Sequence, residues 1–272
     1  MTELGPIGAV SVDLNTAEHA VAVDTTKELE AAGFSTLWLP GSGGDNLERV
    51  AQLVRATSGI GIATGILSVD AVSANEVGQA YAELERDHPG RFVVGLGGAH
   101  GPRPFATMHA FLDILDSTPP RIPLSARILS ALGPRMLDLA RERAAGAFPY
   151  LITPEYVTTA REALGPGKKL PVWVEVIPEI EPDTARERAR EALGFFLTLP
   201  HYATNFRRMG FTAGEIGSAA PRLIDGLVAW GDLGTIVRRL REYLDAGADQ
   251  VAVNIDRVPR ELWRPLADAL RS

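Results

Sequence analysis

EYLDAGADQVAVNI, residues 242–255, holds the pattern on which the fold turns: a charged, helix-like stretch ends at Ala-Gly and an apolar run begins at once. ELEAAGFSTLWL (28–39) and RERAAGAFPYLI (141–152) repeat it. Glycine just past a helix end takes positive φ without a Cβ penalty, so each segment predicts a glycine-closed helix turning straight into a strand. Such short turns belong to parallel α/β folds. Outward from these three, strands are expected near 7–13, 35–39, 60–66, 91–96, 126–131, 147–152, 171–177 and 249–255. Helices are expected near 16–32, 45–57, 72–87, 104–116, 134–145, 154–164, 182–198, 232–246 and 259–270. IGIATGI and DQVAVNI are apolar at almost every position, as strands covered on both faces must be. Eight strand–helix units of roughly 30 residues occupy about 250. The expected fold is therefore an α/β (β/α)8 TIM barrel, one domain over 1–272, with an open doubly wound sheet as the alternative. Residues 199–231 break the rhythm and read as a helical insertion before the last βα unit.

Composition narrows the function classes. The chain is 46% hydrophobic, enough for a sizeable core, but no run of 18 uncharged apolar residues is present to span a bilayer. MTELGPIGAVSVDLNT has an acidic residue where a secretory leader carries positive charge, and it reads as a first strand. The absence of cysteine excludes disulfides, thiolate metal sites and cysteine nucleophiles, and fits a cytoplasmic protein. A net charge of −7 argues against a nucleic-acid or anionic-membrane surface, leaving a small molecule as the expected partner.

In a barrel, residues just past the strand ends form the functional face. In RFVVGLGGAHGPRP (91–104), a buried strand ends in Gly95, Gly97 and Gly98, then presents His100 and Arg103. Two readings stay open: the glycines admit a planar ligand to the backbone, or they form a turn that packs on a helix. A Rossmann fingerprint fails, since the third glycine position holds His100. LGPRM (132–136) places Pro134 at a helix start with free amides beside Arg135, an anion site in outline, reinforced by Arg127 if that side chain reaches the same face. An ordinary capped helix is the alternative. His19, His88, His109 and His201 fall on helices or in the insertion, and no HxH or HExxH spacing supports a metal site. None of Lys27, Lys168 and Lys169 projects from a strand as a Schiff-base lysine must. Glu175 and Glu179 lack a partner carboxylate at another strand end, which sets a glycosidase aside.

Taken together, KELEAAGFSTLWLPGSGG (27–44), IGIATGILSV (60–69), HPGRFVVGLGGAHGPRPFATMHAFLDILD (88–116), ILSALGPRMLDLARERAAGAFPYLITPEY (128–156), LPHYATNFRRMGF (199–211) and LIDGLVAWGDLGTIVRRLREYLDAGADQVAVNI (223–255) resemble the luciferase-like oxidoreductases. Within them the chain looks most like the actinobacterial branch that uses the deazaflavin coenzyme F420. The resemblance implies a (β/α)8 barrel, a homodimer, and an isoalloxazine-like ring at the strand C-termini. It also implies a non-prolyl cis peptide at Gly65-Ile66, with Thr64, Gly65, Ile66 and Ser68 lining the ring. Gly97, Gly98 and Ala99 would pass beside it, and Leu132, Gly133, Pro134 and Arg135 would receive the phosphate. The implied activity is hydride transfer between reduced deazaflavin and a small organic acceptor, with His100 as proton donor. An FMN-dependent monooxygenase and a cofactor-binding barrel without chemistry are the alternatives. The chain departs from its relatives in having Val10 at the end of the first strand, Pro40, Gly41 and Ser42 where many carry an acidic residue or an Asp-His pair, GAH in the fourth-strand loop, and a short segment after His100. These departures bear on catalysis more than on fold, although a missing side-chain acid need not abolish hydride transfer, since the cofactor carries the hard chemistry.

Overall fold

The computed structural model describes residues 4–41, 45–99 and 101–272. Its strands are β1 (Ile7–Val10), β2 (Thr36–Leu39), β3 (Gly61–Thr64), β4 (Leu67–Ser68), β5 (Phe92–Gly97), β6 (Arg127–Leu129), β7 (Gly146–Ala147), β8 (Pro171–Ile177), β9 (Val228–Trp230) and β10 (Gln250–Asn254). Nine follow the path β7-β6-β5-β3-β2-β1-β10-β8-β9, and β4 pairs with β5 beside it. Every pairing is parallel. The sheet curls far enough for β7 and its continuation to meet β8: Gly146 bridges Lys169, Tyr150 bridges Trp173, and the Trp173 backbone N–H donates to the Pro149 carbonyl at 3.1 Å. The fold is thus α/β, with a curled parallel sheet wrapped in helices.

Side-chain alternation assigns the two faces. Val251 and Val253, Leu37 and Leu39, and Val172, Val174 and Val176 join the core between sheet and helices. Their in-between neighbours Ala252, Trp38 and Trp173 join a second cluster on the concave side. Trp38, fully buried, fills that concavity: its ring stacks on Phe148 at 4.1 Å between centroids, and its indole N–H donates to Gln250 Oε1 at 2.8 Å. The inside of the curl is packed at this level, and the strand C-terminal edge above it is hereafter the mouth.

Two of the three Ala-Gly turns behave as expected, with Gly33 at φ 99° and Gly247 at φ 109°. The third does not. Its helix stops at Arg143 and Gly146 lies within β7, where a Cβ would stand 1.8 Å from the Lys169 carbonyl oxygen. Close approach of two backbones, not a positive φ, demands that glycine. The segment 199–231 carries helices Pro200–Arg208, Ala213–Gly217 and Pro221–Leu227, but it ends in the short strand β9. The last helix begins only at Trp263, after two 3-10 turns. Arg127 does not reinforce the anion site at Gly133. It is 1% exposed on the outer face, where Nη1 meets Asp116 Oδ1 at 2.7 Å, so it never reaches the mouth. At the start of β6, two residues before the outer-cluster Leu129, alternation turns it toward the helices. Among the described residues, no helix is long and apolar enough to cross a membrane.

Candidate functional site

The mouth has two unlike sides. On the first, β3, β5 and β6 turn inward positions Gly65, Gly95, Gly97 and Ser130, so the surface is mostly peptide backbone. The Gly65-Ile66 peptide is cis. Gly65 sits on the aromatic floor, where a Cβ would lie 3.0 Å from Trp38 Cβ and 3.2 Å from Phe148. Gly95 is fixed by strand proximity, since a Cβ would fall 1.9 Å from the Thr64 carbonyl oxygen. At Gly97 a Cβ would stand 2.8 Å from Ser130 and 3.0 Å from Ile66, so protein packing already demands both glycines. The Thr64 hydroxyl bridges Gly95 N–H and Gly95 carbonyl, 2.8 Å each, and points to the outer face. Ser68 Oγ donates to the Gly98 carbonyl at 2.8 Å, tying β4 to the glycine exit where Gly98 adopts φ 66°. Thus Thr64, Gly65, Ile66, Ser68, Gly97 and Gly98 are brought together, with half-buried Ala99 beside them. His100 lies outside the described residues, as does Ser42.

Next to this corner, Gly133 caps the helix Pro134–Arg143 in extended conformation, with Pro134 in the first turn. Arg135 is exposed and its guanidinium lies 4.3 Å over the Phe105 ring. A second cation, absent from the sequence reading, stands closer: a Cβ on Gly133 would be 3.0 Å from Arg208 Nη1. The Tyr156 hydroxyl donates to the Leu132 carbonyl at 2.5 Å and steadies the turn. Helix N-terminal amides with two arginines nearby suit a phosphate. The Arg208 signal was legible only as the basic end of NFRRMG, with nothing local to aim it.

On the second side, β8 and β10 turn Trp173, Glu175 and Asn254 inward, and Tyr150 joins them from beyond β7. Glu175 is 2% exposed. Its Oε1 accepts from the Tyr150 hydroxyl at 2.7 Å, and both oxygens lie 3.3 Å from Asn254 Nδ2. Arg257 Nε is 3.9 Å away, on a half-exposed side chain. Burial pushes the Glu175 carboxyl above its ordinary range although Tyr150, Asn254 and Arg257 pull the other way. Burial and the neighbouring carboxylate likewise push the Tyr150 phenol well up. Tyr150 stacks on Trp173 at 4.0 Å and meets Phe196 edge-on at 4.8 Å. The Trp173 indole N–H is buried and finds no acceptor among the described residues. Sequence reasoning set Glu175 aside as a carboxylate without a carboxylate partner; its partners are a phenol and an amide from distant segments.

Residues 8–115 match the luciferase-like monooxygenase family. That stretch carries β3 and β5 of the backbone side and stops before β6 and the Glu175 side. The whole chain is similar in structure to an F420-dependent secondary alcohol dehydrogenase in complex with an F420-acetone adduct, with TM-score 0.72 and 16% identity over 100% of both chains. It is similar to the coenzyme F420-dependent tetrahydromethanopterin reductase of Methanopyrus kandleri, with TM-score 0.69 and 17% identity over 100% of this chain and 97% of that one. It also resembles the oxygenating constituent of 3,6-diketocamphane monooxygenase of Pseudomonas putida in complex with FMN, with TM-score 0.64 and 11% identity over 98% and 97%. At these identities the likeness shows a shared fold. No curated protein matches the chain in sequence.

Proposed function

We propose that the chain is one (β/α)8 barrel over 1–272, made by β1, β2, β3, β5, β6, β7, β8 and β10 with 199–231 as an insertion, and that it is a flavin-type oxidoreductase. The ring sits in the mouth against Gly65-Ile66 and the Gly97–Ala99 exit, and the phosphate end lies at Gly133–Arg135 with Arg208 in support. F420 is the favoured cofactor and FMN the alternative, because similarly folded enzymes hold one or the other. When bound, the deazaflavin supplies the hydride, which passes between it and a small organic acceptor. Protein groups position both partners; His100 is the proton donor that the family resemblance implies. The observation that carries this reading is the placement of Thr64–Ser68, the Gly97–Ala99 exit and the Gly133–Arg135 helix start on neighbouring strand ends at the C-terminal edge of one parallel sheet. The test is retention of cofactor by purified protein, incubated with F420 or FMN, desalted and read by absorbance. Stoichiometric F420 is expected. Retention of FMN alone would move the protein to the monooxygenase reading, and retention of neither would end both.

A further inference from the structure

Glu175 is unexplained by that reading. It lies outside the stretch matched by family, yet it faces inward at the mouth. A buried carboxyl needs partners for its oxygens, and Glu175 has them from three directions: Tyr150 beyond β7, Asn254 at the end of β10, and Arg257 in the turn that follows. All of these partners are donors, so none of them supplies an acceptor for a proton on Glu175. The neighbouring Trp173 N–H, on a side chain in a residue 9% exposed, has no acceptor among the described residues. An oxygen atom of a ligand would satisfy this orphan donor, whose ring stacks on Tyr150, the phenol that bonds Glu175.

We propose that Glu175 is the proton-holding group of the mouth, positioned by Tyr150 and Asn254, and that it serves the oxygen of an uncharged acceptor which Trp173 N–H also engages. This rests on the flavin-type reading above. In that role the Glu175 O–H bond breaks as an O–H bond forms on the acceptor oxygen. The hydride pair comes from a reduced flavin-type ring, which is left oxidised, and solvent returns the proton to Glu175. The groups facing Glu175 are Tyr150, Asn254, Asp256 and Arg257, with Tyr202 behind Tyr150. Burial raises the carboxyl, in the direction a proton reservoir needs.

Two measurements test this. In the protein without cofactor, 13C-labelled glutamate followed by NMR through a pH titration should show one carboxyl that titrates above the ordinary range and is missing in Glu175→Gln. In the protein loaded with reduced F420, oxidation by menadione, an uncharged quinone, should slow as pH rises through that same midpoint. Glu175→Gln should lower the rate about 10²-fold and flatten the pH dependence, while Glu175→Asp restores a pH-dependent limb. Retained rate and retained limb in Glu175→Gln would overturn the proposal, as would a limb lost in His100→Ala and kept in Glu175→Gln. Failure of the wild type to bind F420 or FMN would sink the flavin reading instead. The NMR titration still decides on Glu175 in that case, and an ordinary midpoint there counts against it.

Discussion

The two sides of the mouth are built by opposite means. The β3–β5–β6 side is made of what is missing: Gly65, Gly95 and Gly97 bring strands and the aromatic floor so close that there is no room for a methyl group. The β8–β10 side is made of what is present, a carboxyl, a phenol, an amide and an indole that satisfy one another almost completely. The first should therefore fail when atoms are added and the second when they are removed. The β3 and β5 part of the first side falls within the luciferase-like match at 8–115.

The largest break should come on the glycine side. Gly95→Val places a Cβ 1.9 Å from the Thr64 carbonyl oxygen, and the overpacking should cost about 3 kcal/mol or more. Denaturant unfolding against wild type measures it, and a loss under about 1 kcal/mol would mean the strands can part without penalty. On the other side Asn254→Ala removes a donor shared by both Glu175 oxygens, and about 2 kcal/mol of stability should go with it. An unchanged midpoint would show that the cluster is not tightly closed.

Ligand affinity should respond more gently. Arg135→Ala and Arg208→Ala should each raise the F420 dissociation constant about tenfold, equal to about 1.4 kcal/mol, and wild-type affinity should fall with salt. Calorimetry at two ionic strengths reads both. Full affinity in both variants would remove the phosphate from the Gly133 turn. The smallest effect sharpens the carboxyl side by pH. Because the folded-state value of Glu175 is raised, its protonated form contributes stability that is fully present at acid pH and is lost as pH rises through that value. The stability of wild type relative to Glu175→Gln should accordingly decline from acid to neutral pH. A difference that grows with pH would reverse the assigned direction.

Much of the backbone side could be read from the chain alone. Gly33 and Gly247 announced their positive φ because the cause is local, a helix ending beside them. The Gly-rich exit of β5 was legible for the same reason. Gly146 misled because its cause lies at Lys169, across a strand pair, and Arg127 because alternation through a three-residue strand turns it outward toward Asp116. The carboxyl side was opaque: Tyr150, Glu175 and Asn254 are brought together only by the β7–β8 and β8–β10 neighbourhood, and no spacing rule connects them. Arg208 was hidden likewise, since its position depends on how a helix in 199–231 leans on the Gly133 turn.

The four tryptophans differ in one respect with an optical consequence. The indole N–H groups of Trp38, Trp230 and Trp263 are spoken for by Gln250, Asp225 and the Val258 carbonyl. Trp173 alone has none among the described residues. Emission from an indole shifts to longer wavelength when its N–H acquires an acceptor and its surroundings become polar, so a ligand that engages Trp173 should recolour the one fluorophore whose N–H is unclaimed. The protein therefore carries its own titration dye at the edge of the site.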